Sequence, residues 1–534
     1  MTMRLLRALV TVLSVGALPG TILSAQQAPS PVAAAPRVGV TPGLEIVLTI
    51  DELVARVLEQ SPGIQAARID RESAAFNLQL ARGLFDPVVT ADGSYDNRVT
   101  PVSSALGGVS DGHLREHVLV FAPTIAGRMP RGGGSYASTF SSTRSTTNSS
   151  YVPLLPQYPT SWNVSFTQPL LRNRTLDSGR RQLRVAQANQ ALTTAQFRQQ
   201  VTEIVTAATM TYWDLAHAVE NLDVQQDGLA EALEQVASNR RMAEQGLLAA
   251  IDVTEAEAQA AIFEGAVAAA QEVVTRAENA LKSMMLPDRT SPLWARAVIP
   301  MTPPGPAAVT MSVDEAVRTA LANRPERTSL DRSVDINAVD TQFYRGQAQP
   351  QVDLIGGYTL QGLAGQPVSA PTTDPVQVPP LLVGGYGTSL GTLLARAFPI
   401  AHVGVRLTLP IWNRTAEAGV ALSLAAGRRL QVQRVQLEQS IEAEVRNVMQ
   451  ALQSADAQLA AATASHRAAG QQYLSEERRL ANGLSTVYLL FQRHSALVGA
   501  RSRENQARIQ LSKTIIEFDR VTGTTLERRG ISIR

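Results

Sequence analysis

Two serine motifs have the spacing of a catalytic nucleophile. Segments 108–112 and 387–391 both match G-x-S-x-G, the nucleophile turn of serine hydrolases. That turn needs a buried strand before it and a helix after it, whereas both segments lie in Gly/Ser-rich sequence that predicts loops. Catalysis is therefore not predicted, and a serine hydrolase is the weakest of three functional hypotheses.

A histidine pair has the spacing of metal ligands. His113 and His117 lie four residues apart with Glu116 between them, which would suit a metal only on a helix. A solvated loop is the preferred interpretation. The chain has no cysteine, which excludes disulfides, Cys-ligated zinc, thiol catalysis and an acylated N-terminal cysteine. We expect no catalytic residue, no metal and no cofactor, and thus no enzyme.

The charge balance bears on the partners. The chain has 48 Lys and Arg against 46 Asp and Glu, a formal net charge of +2. A nucleic-acid-binding protein normally carries a basic face, so no nucleic-acid partner is predicted. The length of 534 residues suggests about three domains, but only 5% of residues are aromatic and alanine is abundant. This composition favours closely packed helices.

Residues 1–25 have the pattern of a secretory signal peptide. Arg4 and Arg7 precede a short apolar run, 9–18, and small residues suited to cleavage follow. The run is too short to span a bilayer core of ~30 Å. No later stretch of 18 apolar residues occurs, which argues against an inner-membrane helical protein. A periplasmic, secreted or outer-membrane β-strand protein fits the sequence.

Proline marks two long helical regions. It is absent from 170–286 and 411–534, which together exclude all 29 prolines. An interior proline costs a helix ~3 kcal/mol, so each gap predicts long helices. A glycine just past a helix end suits a left-handed cap, which predicts helix ends before Gly246 and Gly483. The predicted helices are about 173–245, with a return helix of about 252–286, and about 413–482, with a return helix of about 486–522.

Both long helices show a heptad repeat of apolar residues. Between Val201 and Val236, ten of eleven positions in alternating steps of four and three are apolar. Between Ile441 and Glu476, nine of eleven are, and His466 takes one of the others. A sustained 3.5-residue period predicts coiled coils, and the alternative is an ordinary amphipathic helix of 3.6 period. His466 is interpreted as a partly buried polar residue of the seam.

The two halves of the sequence repeat one another. Asp51 and Asp314 differ by 263 positions, as do Pro62 and Pro325, and a constant offset is the mark of a duplication. The predicted organisation is a signal peptide 1–25, a Pro/Ala-rich linker 26–43, repeat 1 over 44–286, a Pro-rich linker 287–311, repeat 2 over 312–522 and a C-terminal tail 523–534.

Each repeat contains β-like sequence before its long helix. Strict alternation over ~10 residues predicts membrane strands with one lipid-facing side. They form hairpins 86–171 and 350–412, which enclose long loops of about 101–160 and 362–400. The residues expected to face lipid are Trp162, Val164, Phe166, Val405 and Leu407. Two hairpins cannot close a barrel and open edges are not tolerated in lipid, so several chains would share one barrel. The alternative is a half-buried soluble hairpin.

Taken together, these features resemble the TolC-like outer-membrane efflux proteins, the outer-membrane factor family, over about residues 44–522. The family pattern is matched at Asp51-Glu52, Asp314-Glu315, the strand ends Pro169-Leu170 and Pro410-Ile411, and both helical tips. The resemblance implies an α+β membrane protein with an internal two-fold repeat. It implies a homotrimer in the outer membrane, with four strands per chain in one twelve-stranded β-barrel and a coiled-coil α-helical tunnel in the periplasm.

The implied function is an exit duct of a tripartite efflux or type I secretion system. Its implied partners are a periplasmic adaptor, an inner-membrane transporter and outer-membrane lipid. The alternative is a structural periplasmic coiled-coil protein without channel activity.

The resemblance also implies site residues. The adaptor-docking tips would be Gly246, Leu247, Gly483 and Leu484. The candidate periplasmic gate is Asp252, Leu489, Gln492 and Arg493. The family prototype narrows its mouth with aspartates after the second tip, where this chain has Leu489 and Gln492. Asp252 matches the pattern after the first tip.

Overall fold

The computed structural model describes residues 37–103, 109–303, 310–368 and 378–532. The predicted signal peptide and most of the 26–43 linker lie outside these residues. Among the described residues, no helix is long and apolar enough to cross a lipid bilayer. The helices are α1 Ile50–Gln60, α2 Pro62–Gly83, α3 Ser178–Glu244, α4 Ala250–Met285, α5 Val313–Asn323, α6 Pro325–Gln347, α7 Tyr386–Leu394, α8 Arg414–Ala481, α9 Val487–Thr522 and α10 Thr525–Arg528.

Six long strands form one antiparallel sheet. In chain order, all strands of the described residues are β1 Glu45–Leu48, β2 Val88–Pro101, β3 His113–Arg128, β4 Ser135–Thr147, β5 Leu154–Gln157, β6 Thr160–Pro169, β7 Ala297–Pro300, β8 Gln351–Gly362, β9 Gly365–Pro367 and β10 Phe398–Thr408. The six long ones are β2, β3, β4, β6, β8 and β10. The sheet order is β10-β8-β6-β4-β3-β2, with β5 and β9 paired beside β4. The short strands β1 and β7 form a separate parallel pair.

Four strands per chain were predicted, and the sheet has six long strands in the described residues. Strands β3 and β4 lie in the segment of about 101–160 that was predicted to be a loop. Nine of the 13 residues of β4 are Ser or Thr, which resembles loop composition although threonine favours strands. Strand β3 has apolar residues on both faces, so it lacks clean alternation. The predicted loop of about 362–400 likewise contains β9 and α7, and the predicted linker 287–311 contains β7.

The short helices at the start of each half begin in the same way. Thr49 forms a capping box with Glu52, and Ser312 accepts a hydrogen bond from the Glu315 backbone N–H. The following helices α2 and α6 both have proline at their first position, where a missing N–H is harmless.

The long helix α3 begins later than predicted. Asn173 has a left-handed backbone (φ +66°) and is therefore not helical. Asp177 is the N-cap instead, accepting a 2.8 Å hydrogen bond from the Arg180 backbone N–H. The 67 residues of α3 then run for ~100 Å at ~1.5 Å per residue.

The predicted heptad seam holds in α8 and shifts in α3. In α8 the buried residues include Ile441, Val445, Leu452 and Ala455, all predicted seam positions. In the distal part of α3 the buried residues are Val224, Gly228, Ala232, Val236 and Asn239, of which only Val236 is a predicted seam position, and the predicted position Leu233 is exposed. A side chain at Gly228 would come within 3.0 Å of the Phe263 ring, so close approach of α4 draws the seam onto small residues.

The helices form a layer that continues the sheet. Next to the sheet they pack in the order α2, α3, α6, α8, and towards the tips in the order α4, α3, α9, α8. Between these ends, the Tyr212 hydroxyl donates to the Leu48 carbonyl at 3.0 Å and accepts from the Thr302 N–H at 2.9 Å. Nearby, Lys282 and Glu278 form a buried ion pair at 2.5 Å. The two Tyr212 contacts join the long helix α3 to strand β1 and to the chain just after β7, whereas the ion pair lies within α4.

Candidate functional site

The sheet has one apolar face that continues through all six long strands. Directly paired residues of an antiparallel sheet point to the same face. Trp162 lies opposite Leu360, Val164 opposite Tyr358, and Val405 opposite Leu354. The register places all five predicted lipid-facing residues on this face. Its exposed large apolar side chains include Val89, Tyr95, Leu119, Phe121, Ile125, Trp162, Val164, Tyr358, Val403, Val405 and Leu407.

The opposite face of the sheet is polar along its central row, although Val118, Val120 and Ile400 also lie on this face. Thr124, Thr139, Asn163 and Thr359 lie side by side on four neighbouring strands. The Thr124 and Thr139 hydroxyls are 2.9 Å apart, and the Asn163 amide donates to the Thr359 hydroxyl at 3.1 Å. One wet face and one apolar face are the pattern of a membrane β-sheet.

Both edges of the sheet are unpaired in the single chain. Strand β2 pairs only with β3, and β10 only with β8, among the described residues. Every residue of β2 and of β10 is exposed. The two edge strands run in opposite directions, because each of the five steps between them is antiparallel. A free edge of this length needs a partner strand.

The first helical tip is a Schellman turn between α3 and α4. Gly246 has φ +73°, and its N–H donates to the Ala243 carbonyl at 2.9 Å. The Leu247 N–H donates to the Met242 carbonyl at 2.9 Å. In this motif the residue after the glycine often packs back on the helix, but the Leu247 side chain is 72% exposed.

The second tip repeats this geometry between α8 and α9. Gly483 has φ +71°, and the Leu484 N–H donates to the Arg479 carbonyl at 2.8 Å. Leu484 is 77% exposed. Two contacts strengthen this tip only: Thr486 caps α9 by accepting from the Leu489 N–H at 3.3 Å, and the Ser485 hydroxyl donates to buried Glu476 at 2.5 Å.

The four candidate gate residues lie just behind the tips. Asp252 is half-buried in the first turn of α4, and its carbonyl accepts from the Asn239 amide at 3.3 Å. Leu489 is half-buried and Gln492 exposed on α9, and Arg493 donates to Gln472 of α8 at 3.0 Å. Counted from the tip glycines, Asp252 and Leu489 occupy equivalent positions. The buried residues of α9 near the tip are Val487, Leu490, Phe491 and His494, so Leu489 and Gln492 lie outside its most buried face.

A buried histidine lies behind the second tip where four helices meet. His494 of α9 lies 2.6 Å from a carboxylate oxygen of Glu231 on α3, and its ring is 5.3 Å from Phe263 of α4 and 5.5 Å from Tyr473 of α8. Burial lowers the pKa of His494, and Glu231 opposes that shift. Burial also raises the pKa of Tyr473. The sequence analysis missed His494, although its spacing from Val487 and Phe491 follows the α9 seam.

The seam histidine of α8 is bonded to the neighbouring helix. His466 is half-buried, and its Nδ1 lies 2.5 Å from Glu504 of α9. Burial acts to raise the pKa of Glu504, but hydrogen bonds from His466 and Thr463 hold it below its usual value. This contact joins the two helices of the second half.

The structure places most residues of the motifs that have chemical spacing. Ser389 lies in helix α7, not in the predicted loop, and its hydroxyl is 2.8 Å from that of Thr160. Gly108, which begins the first G-x-S-x-G segment, lies outside the described residues. His113 and His117 lie on β3, not in a loop, and are ~13 Å apart at ~3.3 Å per residue. No group of three His, Asp or Glu suited to a metal occurs in the described part of the chain.

Comparison with known families identifies the matched region. Residues 134–285 match the model of a family described as outer membrane efflux protein. This segment of the chain is similar to the outer membrane efflux proteins. The matched region runs from the turn before β4 to the end of α4 and includes the first tip. The family resemblance inferred from the sequence is confirmed.

Solved structures of outer membrane channels share the fold of this chain. The CmeC channel of Campylobacter jejuni is 15% identical, with a TM-score of 0.61 over 89% of this chain and 86% of that one. The VceC protein of Vibrio cholerae is 16% identical, with a TM-score of 0.60 over 89% and 96%. The open MtrE channel of Neisseria gonorrhoeae is 14% identical, with a TM-score of 0.58 over 89% of both chains. A search of curated proteins found no match.

Proposed function

We propose that three copies of this chain form an outer-membrane channel with a helical tunnel in the periplasm. The channel is a passive conduit, the exit duct of a tripartite efflux or type I secretion system. The observation that carries the proposal is a two-faced sheet of membrane-strand length at one end of ~100 Å helices whose tips expose leucine.

The free edges of the chain support assembly with further copies. Below the edge strand β2, helix α2 exposes Ile69, Phe76 and Leu80, each at least 60% exposed. Below the other edge strand, β10, helix α8 exposes Leu422 at 71% and Val432 at 58%. Sheet edge and helix edge thus both have apolar groups that an identical neighbour would cover. A trimer follows from the resemblance to the family.

The tips support docking of a periplasmic adaptor, which would couple the tunnel to an inner-membrane transporter. Leu247 and Leu484 protrude from two rigid turns at the far end of the helices. A partner with an apolar groove would cover both. The double variant Leu247→Asp with Leu484→Asp should abolish adaptor-dependent export and leave the trimer intact. Leu381→Asp, at an exposed leucine beside the sheet, is the control and should export normally. Normal export by the double variant would refute the docking site.

The periplasmic gate is proposed to be apolar at Leu489, the candidate gate residue that follows the second tip. In a trimer each residue that faces the lumen occurs three times around the axis. A ring of Leu489 carries no charge and can close a narrow pore by dewetting. The wild-type channel should therefore show weak cation preference and little block by divalent cations, and Leu489→Asp should increase both. A wild-type channel with strong cation selectivity and divalent block would instead mean that acidic residues form the ring.

The decisive experiment on the proposed function is electrical. In cell fractionation the protein should be found with the outer membranes. After purification in mild detergent it should have the mass of a trimer, and it should open ion-conducting channels in planar bilayers. A trimer that never conducts, alone or with an adaptor, would favour the alternative of a structural coiled-coil protein. A monomer would contradict the shared barrel itself.

A further inference from the structure

We propose that the β3–β4 hairpin is part of the membrane wall, so that the trimer closes an eighteen-stranded barrel instead of the twelve-stranded one implied by the family resemblance. This inference rests on the proposed function, because the barrel needs three chains. Three copies of the six-strand path make eighteen strands.

Strand pairing makes the hairpin the only described link between β2 and the rest of the sheet. β3 pairs with β2 along the whole of β2, from Val88 to Pro101, and with β4 on its other side. β4 then pairs with β6 from Ser135 to Ser142. Within the described residues β2 makes no ladder with β6. A hairpin folded away from β2 and β6 within the lipid would leave the outer edges of β3 and β4 without partners, which lipid does not tolerate.

The apolar face continues across the hairpin, although Ser138, Ser142 and Arg144 of β4 lie on it among the apolar residues. Phe121 of β3 lies opposite Gly93 of β2, and Ile125 lies opposite Val89. On β4, Phe140 lies opposite Trp162 of β6, one of the residues expected to face lipid. Phe121 is 54% exposed and Ile125 40% exposed in the single chain. On the other face, the Thr124–Thr139 hydroxyl contact continues the polar row of β6 and β8.

The turn of the hairpin is fixed at the membrane end of the helices. Gln168 at the end of β6 donates to the Gly132 carbonyl at 2.8 Å. Gly133 has φ +74°, and a side chain there would lie 2.4 Å from the Asn173 carbonyl, so the backbone fits closely beside the start of α3. The turn therefore lies at the level where β6 leaves the sheet. The end of β3 and the start of β4 therefore lie at the same depth as the helix-side ends of the four strands predicted from the sequence.

The edge strands allow the wider barrel to close. β2 and β10 run in opposite directions, so β10 of one copy can pair antiparallel with β2 of the next. With strands ~4.8 Å apart and tilted ~40°, eighteen strands give a barrel about 36 Å across and twelve give about 24 Å. The wall of this channel is then about half as wide again as a twelve-stranded one.

Lipid quenching of single-cysteine labels tests the inference, and the chain has no native cysteine to interfere. Phe121→Cys on β3 carries a fluorescent label in vesicles of brominated phosphatidylcholine. Val405→Cys on β10 is the lipid-facing control, and Thr124→Cys, on the polar face of β3, is the wet control. We expect the label at 121 to be quenched as strongly as that at 405, and the label at 124 to be quenched by aqueous iodide.

The outcomes separate this inference from the proposed function. A trimer whose label at 121 is quenched by iodide and not by lipid would overturn the eighteen-stranded wall and leave the channel standing. A monomer in mild detergent would overturn the channel. A strand count by electron cryomicroscopy of the wild-type trimer decides the question if a variant fails to fold: eighteen strands support the inference and twelve refute it.

Discussion

The two halves of the chain have similar helices and very different strand connections. Between β2 and β6, the first half adds the long hairpin β3–β4 to the sheet. Between β8 and β10, the second half forms the short helix α7, which packs over the ends of β6 and β8 through the Thr160–Ser389 contact. The long helices of both halves pack against one another, so their lengths and buried residues cannot vary freely. The strand connections at the far end of the sheet are under no such constraint.

The largest expected effect is the loss of stability caused by a lysine on the apolar face, which can be compared between β3 of the inserted hairpin and β10, a strand predicted from the sequence. Phe121→Lys in β3 and Val405→Lys in β10 should each destabilise the folded protein in lipid by ~2–4 kcal/mol, because both side chains lie on the apolar face. Thr124→Lys, on the polar face of β3, should have little effect. Urea unfolding in lipid vesicles measures all three. Similar small losses for Phe121→Lys and Thr124→Lys would mean that β3 does not contact lipid.

The next effect compares the two tips. Gly246→Ala and Gly483→Ala should each cost ~1–2 kcal/mol locally, because both glycines have a left-handed backbone although space around them is open. Gly499→Ala, in the middle of α9 with open space, should stabilise its helix by ~0.5–1 kcal/mol. Hydrogen–deuterium exchange at the tips reports the change. Unequal losses at the two glycines would show that one tip is held by contacts beyond its turn.

These tips were predictable because a glycine ends each helix by a local backbone rule. The seam of α8 was predictable for a similar reason, since its buried residues follow the heptad. The distal seam of α3 was not, because Phe263 of α4 and Val498 of α9, both on other helices, pack close to Gly228. Sequence spacing cannot show such a tertiary contact.

The strands likewise differed in how well they could be predicted from the sequence. β6 and β10 were predictable because apolar and polar residues alternate cleanly. β3 was not, because Val118 and Val120 add apolar residues to its polar face, and β4 was hidden by its Ser and Thr content. Of the candidate gate, the position just behind the tips followed from the sequence. In the proposed trimer, which side chain faces the axis would depend on how the three chains pack, and no local pattern encodes that packing.

A smaller effect tests the unequal capping of the return helices. Thr486 caps α9, whereas Ala249 at the equivalent position before α4 makes no side-chain bond. Thr486→Ala should cost about 1 kcal/mol at the start of α9, and Ala249→Thr should stabilise the start of α4 by a similar amount. Exchange rates of the first-turn amides of α4 and α9 measure both. Faster exchange in Ala249→Thr would contradict the expected cap.

The smallest expected effect is on how the stability of the protein depends on pH. It distinguishes the two halves of the chain in the region behind the tips. Burial lowers the pKa of His494, whereas the equivalent position of the first half is Glu257, which forms an exposed ion pair with Arg240. The unfolded histidine has a pKa of about 6.5 and binds protons more readily than the folded one. Its contribution to stability is therefore complete above about pH 6.5 and is lost as the pH falls towards the lower folded-state pKa.

His494→Gln removes this titration. Its thermal unfolding midpoint should fall less than that of the wild type between pH 8 and pH 5. Parallel profiles for the two proteins would mean that His494 makes no contribution to the acid sensitivity of the tip region.

The opposite directions of β2 and β10 set a parity rule for how such a wall can evolve. A ring of identical chains closes with antiparallel neighbours only if each chain contributes an even number of strands. A single inserted strand would force a parallel seam at every junction between chains, whereas a hairpin preserves the pattern. Because every change is copied three times in a trimer, the perimeter grows in steps of six strands. A mutational path to a wider channel therefore has no intermediate widths, and each step must arrive as one foldable hairpin.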